Sequence, residues 1–192
     1  MNYSEEHDKL LRSIGRHPDQ IDAGAALWAK AKKLIRKPLS KWPQFEPAWD
    51  CNEANFHFSL DGESPEAFAS DYPQGVCCCD VDLSELDARL CAGSRRSAGE
   101  VWGFADSKVA EAICFWAEGG KMTPPMILLV TVGGETQLHV KGGNNRLAIV
   151  RAKGITRVKV LILRDELTAV KGMLPSLIEC TTQMEQDAGA KT

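Results

Sequence analysis

Apolar positions return every three or four residues near the start of the chain. Ile21, Ala25, Trp28, Ala31 and Ile35 share one side of a helix predicted over 19–36, and Pro38 ends it. A shorter helix capped by Ser4 precedes it, to about Gly15. In 56–60 the period changes to alternation, which predicts a strand closed by the Asp61-Gly62 turn signal. This segment reads as a layer wrapped on the core or as a substrate-facing flap, with His57 as a structural histidine. A strand over 76–81 and a helix over 84–90 follow, and then a polar connection, AGSRRSAGE, of mobile character. Asp106 or Ser107 caps a helix to about Glu118, with Val109, Ile113 and Trp116 on its apolar side. Strands over 126–132 and 137–140 are joined by Gly133-Gly134 into a hairpin. A helix of about a dozen residues then runs to Gly154, a strand covers 158–163, and the tail reads as helix from 165 to 187 broken near Pro175.

Composition narrows the class. The 192 residues are 44% hydrophobic and 26% charged, a globular balance with enough apolar side chains for a core. No apolar run reaches the roughly 18–20 residues of a membrane helix, and the opening residues lack a signal-peptide layout, so the expectation is a cytoplasmic protein without a membrane partner. The seven cysteines are odd in number and three are adjacent (Cys77, Cys78, Cys79), which favours reduced structural thiols over a disulfide framework or a zinc site. The net charge of −3 is unevenly spread. Six basic residues and no acidic one lie between Lys141 and Lys159, a local attraction for anions.

That basic stretch contains the clearest chemical signal, LHVKGGNNRLAIVRAKG, a strand turning through two glycines into a helix. The first amides of a helix lack intrahelical partners and sit at the positive end of its dipole, and glycine admits an anion close to the backbone. Gly142 and Gly143 supply that approach, Asn144 and Asn145 supply amide side chains, Arg146 a planar fork for phosphate oxygens, and Lys141 a point charge. Neither a dinucleotide GxGxxG nor a Walker loop is present.

In the order DSKVAEAICFW, MTPPMILLV, hairpin, GGNNRLAIVRAKG, RVKVLIL, the chain resembles the ParB/sulfiredoxin fold family over a little under half of its length. The resemblance implies an α+β fold: a small mixed sheet with flanking helices over 81–164, a helical and irregular N-terminal extension over 1–80, and a C-terminal helical tail over 165–192. It implies nucleoside-triphosphate binding or hydrolysis at the loop, with Lys108 matching the helix lysine that approaches phosphate. The departures are informative. The sulfiredoxin cysteine falls on Asn144, which cannot form a covalent sulfur intermediate, so sulfinic-acid repair is excluded. The loop histidine falls on Asn145, helix hydroxyl positions fall on Glu111 and Phe115, and the second ParB arginine falls near Leu147 or Ala148. The remaining length is too short for the DNA-reading and dimer regions of ParB proteins, and the type implied is the small plasmid-borne protein that interferes with DNA transfer.

Two functional classes follow. The first is an enzyme hydrolysing ATP or another triphosphate with Mg2+ and acting on DNA without sequence preference. Its catalytic residues would be Glu111, Asn145 and Arg146, with Glu111 as the metal-binding carboxylate one turn after Lys108, and Glu100 and Asp106 as weaker choices. The second is a non-catalytic nucleotide- or nucleic-acid-binding module that acts through a protein partner of a DNA-transfer system.

Overall fold

The computed structural model describes residues 18–61, 63–103 and 105–180. The expected helix over 4–15 and the last part of the expected tail helix lie outside them. Contacts gather the described residues into two units, one formed by those up to 46 with 102–120, the other by 47–101 with those from 121 onward.

The first unit is a helix pair. Helix α1 (Pro18–Ala31) ends five residues earlier than its apolar period suggests. The backbone turns through 32–36 and Arg36 takes a left-handed φ of 58°. Lys37 precedes Pro38, whose ring disfavours a helical conformation there. The carbonyl of Lys37 instead accepts the indole N–H groups of Trp42 (3.0 Å) and Trp102 (3.2 Å), whose rings meet edge to face. The partner helix Asp106–Ala117 is capped by Ala105 without a side-chain bond, so neither Asp106 nor Ser107 caps it as expected. Ala31, Ala110 and Cys114 form the buried contact of the pair, ringed by Leu27, Trp28, Leu34 and Ile35.

The second unit holds a five-stranded, open mixed sheet in the order β3-β2-β4-β1-β5. Its strands are β1 (Val76–Asp82), β2 (Met126–Val132), β3 (Glu135–Gly142), β4 (Arg157–Leu163) and β5 (Ile178–Glu179). β2 and β3 form an antiparallel hairpin, β2 runs parallel to β4, and β4 and β5 flank β1 antiparallel. Helix α2 (Pro65–Asp71) precedes the sheet, α3 (Leu83–Arg89) follows β1, the first-unit helix Asp106–Ala117 becomes α4, α5 (Asn144–Ala152) crosses from β3 to β4, and α6 (Leu167–Met173) follows β4.

Alternation along β1 serves two cores. Cys77, Cys79 and Val81 join Ile127, Leu138, Val160 and Ile162 under Leu86, Leu147, Val150 and Val170 of the helices. Val76 and Cys78 join Met126 and Leu161 under Phe56 and Leu60. Burial on both faces explains why β1 and β4 carry apolar residues at both alternating sets of positions. Each buried Leu, Ile or Met side chain contributes roughly 1.5–3 kcal/mol.

Two expectations are corrected here, the strand over 56–60 and the helix after Pro175. Residues 53–59 form a 3-10 helix, not a strand, because the Asn52 side chain accepts the Ala54 amide (3.1 Å) and holds a local turn. Burial there does not alternate: Phe56, His57, Ser59 and Leu60 are buried while Phe58 is exposed. AGSRRSAGE is organised by two short 3-10 turns, with Ser97 and Glu100 in a capping box and Ser94 buried, its hydroxyl accepting the Val140 amide at 2.9 Å. The tail after Pro175 gives a strand in place of a helix, since Ile178 and Glu179 pair with Asp80 and Cys79 on an otherwise open sheet edge. Among the described residues no helix is long and apolar enough to cross a membrane.

Candidate functional site

The Gly-Gly loop lies where β3 bends into α5. Gly142 ends the strand, and Gly143, at φ 91°, is the left-handed N-cap of α5 with no side-chain capping bond. The first intrahelical bond of the turn runs from the Leu147 amide to the Gly143 carbonyl at 3.1 Å. The amides of Asn144, Asn145 and Arg146 come before it and have no acceptor within the helix. No acidic residue occupies this first turn, so the dipole field at its mouth is not cancelled by a neighbouring carboxylate of the helix.

Both glycines are also required by the chain itself. A Cβ on Gly142 would stand 2.3 Å from the Ser59 carbonyl oxygen, and one on Gly143 would stand 2.8 Å from Cα of Pro125. The sequence reading left that space to an incoming anion. The structure fills part of it with the Ser59 backbone, the Leu60 side chain and Pro125.

Arg146 is 8% exposed and points into this packing. Its guanidinium donates through Nη2 to the Ser59 carbonyl (2.9 Å) and through Nη1 to the Thr123 carbonyl. Burial pulls its pKa down to about 10, with the Asp61 carboxylate acting in the opposite direction, so it remains a cation at neutral pH. The fork that the sequence offers to phosphate oxygens therefore binds two backbone carbonyls and clamps 59 and 123 beneath the loop. Its charge still lies within the first turn of the helix, beside the half-buried Gly143, Asn144 and Asn145.

The remaining loop side chains differ in setting. Lys141 is exposed, and Asn144 and Asn145 are half-buried. Asn144 donates weakly to the Val140 carbonyl (3.5 Å), while its Oδ1 is buried without a hydrogen-bond partner. Further along the basic stretch, Arg151 binds Asp87 through Nε and Nη2 while its Nη1 is buried without a partner, Arg157 pairs with Asp80 at 2.5 Å, and Lys159 lies 3.2 Å from Cys180 Sγ. The six basic residues of 141–159 thus do not share one task.

Lys108 and Glu111 lie on α4, in the other unit from the loop; Lys108 is exposed and Glu111 half-buried. The weaker carboxylate candidates have structural partners. Glu100 accepts the Ser97 amide (2.7 Å) and hydroxyl (2.9 Å), and Asp106 pairs with Arg36 at 2.6 Å. Among the described residues no three His, Cys, Asp or Glu side chains gather in a metal-binding arrangement. A magnesium ion arriving with a triphosphate is held mainly by phosphate oxygens and water, and needs only one or two carboxylates.

Sequence spacing missed two groupings. Ser94, Cys91 and His139 meet beside β3, with Ser94 Oγ 3.0 Å from His139 Nδ1. Cys51 and Cys78, 27 positions apart, bring their sulfurs to 2.8 Å. The first contact comes from the 3-10 turn 92–94 docked on β3 through Leu90 and Leu138, the second from the 53–59 segment lying against β1, so no local motif announces either. Compared with family models, curated proteins and solved structures, the chain finds no match in any of the three.

Proposed function

We propose that the chain is a ParB/sulfiredoxin-like protein that binds the phosphate groups of a nucleoside triphosphate, ATP first, at the N-terminus of α5. The observation that carries the reading is the left-handed, uncapped Gly143 junction, which leaves the Asn144, Asn145 and Arg146 amides without helical acceptors. The succession of hairpin, Gly-Gly bend, crossover helix and adjoining strand supports it. Backbone amides do the recognition, and Lys141 at the exposed rim adds charge. The Arg146 side chain acts in positioning: it fixes the loop through Ser59 and Thr123 and contributes a positive field, while only the residue's backbone amide meets the ligand.

Titration of the full chain with Mg-ATP, followed by calorimetry, tests this reading against Asn145→Asp. An acidic side chain in the first turn favours the helix by roughly 0.3–1 kcal/mol, so the fold is retained. The same charge beside a triphosphate is repulsive, and affinity is expected to fall at least about tenfold. Equal affinity in the two proteins would overturn the loop assignment.

Hydrolysis is the enzymatic form of the proposal, and simple binding its alternative. Phosphate release with and without Mg2+ separates them. Any DNA binding through the remaining exposed cations is expected to be independent of sequence and to weaken steeply with salt.

A further inference from the structure

Three cysteines converge at β1. Cys51 lies just ahead of the 53–59 segment, Cys78 is in the middle of β1, and Cys180 follows β5 with its amide donating to the Cys78 carbonyl at 2.9 Å. The sulfurs of Cys51 and Cys78 are 2.8 Å apart, closer than two thiols need to be for apolar packing alone. A disulfide bond is about 2.05 Å long, so closure requires a movement of roughly 0.8 Å. Lys159 brings an ammonium to this group, 3.2 Å from Cys180 Sγ and 4.0 Å from the Asp80 carboxylate.

The two thiols are not equivalent. The contact with Cys78 and the Lys159 charge lower the Cys51 pKa to about 7 against the opposing effects of burial, Asp50 and Asp80. Cys78, the more deeply buried, is pushed up by the same contact and by desolvation. The half-buried Cys51 is the sulfur more readily ionised, and the buried Cys78 the one that more readily keeps its proton. Cys51 is only half-buried and is reached from solvent, whereas the neighbouring cavity of about 350 Å3 is lined by Cys77, Cys78 and Cys180 and lies on the Cys78 side of the pair.

We propose that Cys51 and Cys78 form a two-electron redox pair, which a hydroperoxide converts into a disulfide joining the start of the wrapped 3-10 segment to β1. The Cys51 thiolate attacks one peroxide oxygen, the O–O bond breaks, and the departing hydroxide or alkoxide takes a proton from solvent. Cys51 is then a sulfenic acid. The Cys78 sulfur attacks the Cys51 sulfur as its proton passes to the leaving hydroxyl; the S–O bond breaks, the S–S bond forms and water departs. One peroxide is reduced and two thiols are oxidised.

The reduced full chain, freed of reductant, is treated with one equivalent of hydrogen peroxide, then unfolded in denaturant, alkylated and digested without reduction, so that the buried thiols are labelled as well. Two of the seven thiols are expected to escape alkylation, in a linked peptide pair whose fragment spectra place the bond between Cys51 and Cys78, and a dithiol should restore both. Cys51→Ser, at a half-buried position, should abolish the link. The proposal is overturned by a Cys51 that stays alkylatable, by a bond to Cys180 or any other partner, or by loss of two thiols persisting in Cys51→Ser. Mapping on the unaltered chain decides the matter even if a Cys78 variant fails to fold.

Discussion

Two Gly-Gly pairs bracket β3. At Gly133-Gly134, in the hairpin turn, both residues have positive φ (60° and 84°) and a Cβ on either would meet nothing within 4 Å. At the other end, Gly142 has no positive φ yet would place a Cβ 2.3 Å from the Ser59 carbonyl, while Gly143 combines φ 91° with a 2.8 Å approach to Pro125. The first pair answers a local demand of the turn, and the second answers the packing of distant backbone. Only the second therefore transmits a change in the loop to the wrapped segment, and only there does a substitution test the candidate site.

The comparison predicts a graded response. Gly142→Ala is expected to be the most damaging, about 3 kcal/mol or more by chemical denaturation, because the atom it meets is a backbone carbonyl held by Arg146. A cost under about 1 kcal/mol would show that the 59–60 segment yields easily and would break the contrast. Arg146→Met keeps much of the volume but leaves the Ser59 and Thr123 carbonyls without their donor, with an expected loss of about 2–3 kcal/mol. Gly134→Ala should cost only about 1–2 kcal/mol, the strain of a left-handed residue in open space, and should leave nucleotide affinity unchanged.

The same contrast describes what the sequence conveys. β2 was expected at its observed bounds, since an apolar run between Pro125 and Gly133 carries its own punctuation. The hairpin turn was equally legible, because its glycines meet a local need. The loop was legible as a strand-to-helix bend, but the direction of Arg146 was not: residue type gives a cation, whereas Ser59 and Thr123, 87 and 23 positions away, decide that it points inward. β5 is two residues long and exists through its pairing with β1, so no periodicity could reveal it. The segment 53–59 alternates in sequence yet follows its Asn52 cap and burial set by the sheet. The Cys51–Cys78 contact depends on that same segment.

At the small end of the scale, alkylation of Cys51 should become half-maximal near pH 7, about two units below an ordinary thiol, because its thiolate is favoured above its lowered pKa and is lost as pH falls through it. Mass-spectrometric labelling rates at Cys51 across pH 5–10 check this, and a profile centred near 9 would remove the asymmetry between Cys51 and Cys78.

The account rests on the α5 N-terminus being open to phosphate while Arg146 holds it from below. Amide hydrogen exchange of 141–147, with and without saturating Mg-ATP, tests that most directly. The account predicts slower exchange at Asn144, Asn145 and Arg146 in the unaltered chain, with no such protection in a folded Asn145→Asp at the same ligand concentration. Exchange at these three amides that does not respond to nucleotide, while nucleotide binds and protects another part of the chain, would contradict it.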